Sequence, residues 1–161
     1  MSSMQRNNID GAPAALGPYC HSTTAMGMTF VSGQLGLNPA TNLLREGVEA
    51  QVKQAMENIR TILEGQGLTM NDISRCTIYY VHQEDFPAIN VAYGAAFEND
   101  QYPARVCVQV AGLPAGGLIM IDAIALENHG PKQFIQKEIM MKSLVQAASF
   151  VLSPVAINTP C

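Results

Sequence analysis

The sequence predicts an α+β fold in which two helices lie on one face of a sheet. Three observations carry this. Segments rich in β-branched and aromatic residues alternate with two stretches of helical spacing, in the order strand, helix, strand, helix, strand, strand. A chain of 161 residues fits one domain. With 48% hydrophobic and 14% charged residues it can fill a core, which excludes disorder for most of its length.

Each element has a local reason. Met28–Leu35 (MTFVSGQL) reads as a strand entering a glycine-containing corner, followed by the Asn38-Pro39 turn. Val48, Val52, Ala55, Ile59 and Ile62 recur every three or four residues, which is one face of a helix, and Gly65 and Gly67 end it. Cys76–Val81 (CTIYYV) has strand composition. Asp85 is placed to cap a second helix whose apolar face is Phe86, Ile89, Tyr93 and Phe97. Arg105–Val110 and Leu118–Leu126 are two further strands, joined by the Gly/Pro-rich connection Ala111–Gly117. The sheet face turned away from the helices still needs cover, and self-association is the simplest source of it.

Charge divides the chain near Glu127. Lys132, Lys137 and Lys142 stand against Glu138 alone, so residues 128–161 carry +2 and the overall −4 leaves −6 for residues 1–127. Asn128-His129-Gly130-Pro131 supplies the breakers between the two parts. The expected organisation is a domain over residues 1–127 and an extension over 128–161. In the extension Phe134, Met141, Val145, Ala148 and Leu152 have helical spacing, and its role is open.

An acidic domain without a basic run is a poor binder of nucleic acid. The apolar stretch around Leu144–Ile157 is broken by Gln146, Ser149, Ser153 and Pro154 and is too short to span a bilayer. The start, MSSMQRNNID, has no apolar signal segment and too little arginine for a mitochondrial transit peptide, so a cytoplasmic protein is expected. Cys20, Cys76, Cys107 and Cys161 are widely spaced, and His21, His82 and His129 show no ligand spacing. Free thiols and no metal are expected.

Arg105 is the most informative residue. Strand alternation puts Arg105, Cys107 and Gln109 on one face and Val106, Val108 and Val110 on the other. A guanidinium grips a planar carboxylate through two parallel hydrogen bonds; the competing reading is a structural ion pair with Asp122 or Glu127. Leu16-Gly17-Pro18-Tyr19 presents the Tyr19 ring from a turn, either toward a substrate or into loop packing. Ser32-Gly33 interrupts a strand, where glycine permits a ligand to approach backbone N–H groups or makes a bulge. Cys107 is a nucleophile only with a base beside it; an inert thiol is the alternative.

Taken together, these segments resemble the Rid family of reactive-intermediate (enamine/imine) deaminases, also labelled L-PSP endoribonuclease and translation inhibitor. The resemblance runs in order from Ala12 to Leu126. It rests on Ala14-Ala15-Leu16-Gly17-Pro18-Tyr19, Val31-Ser32-Gly33-Gln34-Leu35, the helix containing Gln51 and Ala55–Ile59, and Asp85-Phe86 with Asn90 and Tyr93. Most specific is Pro103-Ala104-Arg105 with Gln109-Val110-Ala111, Leu113-Pro114 and Ile121–Ala125. It implies a chorismate-mutase-like mixed sheet in a barrel-like homotrimer with clefts between neighbours. It also implies a carboxylate clamp at Arg105, pocket groups at Ser32, Gly33, Asn90 and Cys107, and Tyr19 contributed at the interface.

The implied reaction needs no cofactor. An enamine such as 2-aminoacrylate tautomerises to an imine, water adds to the imine carbon, and ammonia leaves a 2-keto acid. One departure stands out: the family's water-orienting glutamate falls at Met120 here. Asp122 is the alternative candidate for positioning the water, on the same strand face but roughly 6–7 Å further along. Three functions follow from the resemblance: an imine deaminase impaired by Met120, a non-catalytic trimeric binder of small 2-keto or imino carboxylates, and an endoribonuclease or translation inhibitor.

Overall fold

The computed structural model describes residues 4–127 and Lys142, so the expected extension lies, apart from Lys142, outside the described residues. The fold occupies the compact unit Met1–Glu127. Its elements are β1 (Gln5–Asn7), β2 (Ser22–Ala25), β3 (Met28–Leu35), α1 (Val48–Glu64), β4 (Ile73–Tyr80), α2 (Phe86–Gly94), β5 (Ala104–Gln109) and β6 (Ile119–Leu126). The strands form one sheet in the order β1-β2-β3-β6-β4-β5. Only β4 and β5 pair in parallel, so the sheet is mixed.

Connectivity explains why both helices share a face. β6 lies between β3 and β4 and is antiparallel to each, so β3, β4 and β5 run in one direction. α1 bridges β3 to β4 and α2 bridges β4 to β5, each step moving the same way across the sheet. Right-handed crossovers then place both helices on the same side. The expected α+β architecture with two helices on one face is the one found.

Beneath the helices, Val52, Ile59, Ile62 and Leu63 of α1 and Ile89 of α2 meet Cys76, Ile78, Ile119, Ile121 and Ala123 of the sheet, all of them buried. Asn58, 1% exposed, is the polar exception: its Nδ2 donates to the carbonyls of Leu35 and Leu37, tying α1 to the end of β3. The opposite sheet face is bare, with the apolar Met28, Phe30, Val106, Val108 and Leu126 exposed on the face that also carries Asp122. No helix of the described residues is long and apolar enough to cross a membrane.

Two local expectations are corrected and one element is added. The added element is the N-terminal hairpin of β2 and β3, with β1 at its edge. It turns on Met26 and Gly27, both at positive φ (54° and 76°), as a tight two-residue connection requires. Asp85 makes no capping bond, because the 3₁₀ turn Gln83–Asp85 leads into α2 and leaves Asp85 already helical (φ −77°, ψ −12°). α2 ends at Gly94, so Phe97 lies past the helix, although its ring still packs on Tyr93 at 5.0 Å.

Candidate active site

β5 is an edge strand, and its pairing with β4 sets the direction of its side chains. Arg105 is level with Cys76, and Cys107 with Ile78, so both lie on the helix side of the sheet. Val106 and Val108 are level with Thr77 and Tyr79, on the bare side. This is the alternation that the sequence predicts.

Arg105 is exposed at the sheet edge. Its Cζ lies 5.0 Å from the centroid of the Tyr93 ring. It pairs with neither Asp122 nor Glu127; the described ion pairs are Lys53–Glu49 and Arg60–Glu57. Asp122 instead accepts a hydrogen bond from the Tyr79 hydroxyl at 3.2 Å. Around the guanidinium opens a cleft of about 380 Å³, lined by Asn90, Tyr93, Gly94, Tyr102 and Pro103.

Thiol chemistry here is suppressed. Burial pushes the Cys107 thiol up, with the Arg105 guanidinium pulling it down. Burial likewise raises Cys76 from 9.0 to about 11. Tyr93 is raised by burial first and by the Cys76 thiol next. Near neutral pH Cys107 is therefore a protonated thiol, and it is not among the residues that line the Arg105 cleft.

A second group of expected site residues gathers elsewhere. The Ser32 hydroxyl donates to the Cys20 carbonyl at 2.8 Å, and its N–H donates to the His21 carbonyl, which fixes the Tyr19–His21 loop against β3. His21 is buried and satisfied at both nitrogens, with Nδ1 accepting from Ile9 N–H and Nε2 on the Pro13 carbonyl. Tyr19 is exposed, and its hydroxyl accepts from the Leu16 N–H. The register shift of β3 falls between Val31 and Gln34, so Gly33 sits in a bulge. A Cβ built on Gly33 would stand 2.8 Å from Met120 Sδ, so the thioether covers this glycine.

One chain thus keeps the expected site residues in two patches. Arg105, Cys107 and Asn90 stand on the helix side at β5. Tyr19, Ser32, Gly33 and Met120 gather around β3, with Asp122 two residues beyond Met120 on the bare face. Gly33 is three strand spacings from Arg105, roughly 14 Å. Tyr93 and Tyr102 belong to the first patch, although the sequence marks Tyr93 as part of the helix's apolar face and of the Rid resemblance, with no site role. The three-residue step from Asn90 to Tyr93, which shares a helix face, was the signal available.

Residues 9–127 match the family described as Endoribonuclease L-PSP. The chain belongs to the L-PSP/Rid family. Within that family it is 40% identical over 121 residues to a 2-iminobutanoate/2-iminopropanoate deaminase of Salmonella typhimurium, covering 74% of this chain and 94% of the relative. The crystal structure of RidA from an Antarctic Psychrobacter superposes with a TM-score of 0.72 at 40% identity, over 75% of this chain and 99% of the other. TdcF of E. coli, crystallised with bound serine, gives 0.71 at 36% identity, over 75% and 98%. The matched region coincides with the L-PSP/Rid fold described above and leaves residues 128–161 outside it.

Proposed function

We propose that the chain is an imine deaminase acting on small 2-imino carboxylates such as 2-iminobutanoate and 2-iminopropanoate, in an assembly that joins the two patches from neighbouring copies. The observation that carries this reading is Arg105: a guanidinium with no carboxylate partner among the described residues, held at the mouth of a cleft. No carboxylate occupies its N–H fork, which meets the neutral Cys107 thiol alongside and matches a carboxylate in two parallel bonds. The names of the deaminase relatives support the same substrate class.

The chemistry asks little of the protein. With the carboxylate fixed, the imine carbon is held in one orientation, and much of the entropic barrier to water addition is removed. Water oxygen bonds to that carbon and a proton passes to the nitrogen, giving a carbinolamine. The C–N bond then breaks, ammonia departs and the 2-keto acid remains. No covalent nucleophile enters, in keeping with the protonated Cys107 thiol.

Assembly follows from distance. A small imino acid is too short to reach both Arg105 and the Gly33 bulge within one chain. The bare face bearing Phe30, Val106 and Val108 favours association through the sheets, and closed rotational symmetry, here a homotrimer, lets one copy's β5 edge meet the next copy's β3 patch. A cytoplasmic location accompanies this reading.

Met120 favours a second reading, a non-catalytic binder of 2-keto or imino carboxylates. Its thioether fills the space over Gly33 and offers no carboxylate to orient water. A ribonuclease role has less support, because a domain of net charge −6 repels the phosphate backbone.

The deciding experiment generates 2-aminoacrylate in situ with a serine dehydratase and follows ammonia and pyruvate release with the natural chain, Arg105→Ala and Met120→Glu. Acceleration by the natural chain that disappears in Arg105→Ala supports the deaminase. Activity confined to Met120→Glu favours the binder. Three traces equal to the buffer control would sink the deaminase, and pyruvate binding unchanged in Arg105→Ala would sink the binder.

A further inference from the structure

Among the residues around Arg105, Tyr93 has no role in either reading and yet touches the guanidinium. It is 3% exposed, and its ring is wedged at 5.0 Å against Phe97, which in turn meets Tyr102 edge-on at 6.1 Å. Its hydroxyl has no nitrogen or oxygen partner and faces the Cys76 thiol beneath the sheet edge. The part of Tyr93 turned to the cleft is therefore its ring face, over which Arg105 Cζ stands at 5.0 Å.

We propose that Tyr93 is the positioning residue of the carboxylate clamp, a cation–π platform that fixes the Arg105 guanidinium while leaving its N–H donors free for the ligand. This rests on the reading of Arg105 as the clamp. The physical argument is one of competition. An acidic partner would steady the guanidinium by occupying the same N–H fork that the substrate carboxylate needs. A ring face attracts the cation through its π system and takes up no N–H directed along the guanidinium edge. The described ion pairs leave Arg105 without an acid; the neutral Cys107 thiol touches it from the strand, and the packed ring supplies the face that steadies it. Ring and hydroxyl are thus separable: the ring positions Arg105, and the hydroxyl is dispensable.

The test measures pyruvate binding by calorimetry and KM and kcat in the 2-aminoacrylate assay, on the full chain. Tyr93→Phe keeps the ring and is expected to retain affinity and KM within about twofold. Tyr93→Leu is expected to weaken pyruvate binding and raise KM about fivefold with kcat nearly unchanged, the size of a partly desolvated cation–π contact. Fluorinated phenylalanines at position 93 preserve shape while draining the ring face, so affinity should fall stepwise with fluorine number even if Tyr93→Leu fails to fold. A fluorine series with constant affinity, or a Tyr93→Phe loss as large as that of Tyr93→Leu, overturns the proposal. Undiminished pyruvate binding by Arg105→Ala overturns the clamp itself, and Tyr93 with it.

Discussion

Met120 Sδ lies so close over Gly33 that a Cβ on the glycine would stand 2.8 Å from it, with Met120 Cγ at 3.0 Å and Cε at 3.3 Å. An unbranched thioether on β6 has filled the hollow that the β3 bulge creates. Where the Rid resemblance places a water-orienting glutamate, this chain therefore has a hydrophobic plug. The glycine and the methionine are a matched pair, and changes at either position should be felt at the other.

That coupling is measurable. Gly33→Ala forces Met120 out of its place and should lower stability by about 1 kcal/mol, at the mild end of overpacking because the obstructing atoms belong to a flexible side chain. Met120→Ala opens the space, so the double variant should lose less than the two single losses added together. Urea midpoints for the four proteins give the coupling energy, expected at or above about 0.5 kcal/mol. Strict additivity would show that the two side chains do not share the site.

Asn58 offers a second test, since it fastens α1 to the chain just beyond the bulge. Its Nδ2 serves two carbonyls, those of Leu35 and Leu37, in a fully buried setting. Asn58→Ala leaves both acceptors without that donor and should cost about 2–3 kcal/mol. Amide exchange should quicken at the end of β3 more than in β4. Uniform quickening would assign the loss to the whole fold instead of this fastening.

Much of this was legible beforehand, for reasons that differ by element. α1 was readable because its buried stripe repeats at helical spacing, and β6 because an apolar run follows the Gly/Pro-rich connection Ala111–Gly117. The hairpin at Met26-Gly27 escaped because β2 is four residues long and largely polar, so only the single turn glycine announced it. Arg105 stood out as a cation opening an apolar strand. Its ring platform did not, because a tyrosine on a helix face looks the same whether its far side meets a core or a guanidinium. Nor does alternation within one strand reveal that Met120 and Arg105 lie on opposite faces of the sheet; the β4–β5 and β4–β6 registers decide that.

The buried thiol beside Tyr93 makes stability fall at alkaline pH. Cys76 is raised from 9.0 to about 11, so between those values the unfolded chain has released a proton that the folded chain retains. Its contribution is fully present below pH 9 and is lost as pH rises toward 11, with a slope of at most about 1.4 kcal/mol per unit. Tyr93, raised above its ordinary 10.0, adds in the same direction at the upper end. Urea midpoints at pH 8, 9.5 and 10.5 should therefore decline more steeply for the natural chain than for Cys76→Val. Parallel declines would remove Cys76 from the account.

The two-patch arrangement makes its strongest demand on mixed assemblies. Val108→Asp puts a charge on the bare sheet face, outside the helix-covered core, so it should leave helical content intact while reducing the assembly to chains of 17.3 kDa. Light scattering after size exclusion reads the mass, and deaminase activity should fall with it. Arg105→Ala removes one half of the composite site and Gly33→Val obstructs the other. Each alone should be inactive as a pure assembly. If an active site takes its Arg105 from one copy and its Gly33 from the next, random mixing after co-refolding leaves about one interface in four with both halves intact, and activity should return to roughly that fraction of the natural level. A site contained within one chain would recover nothing on mixing, because every chain in the mixture carries a defect.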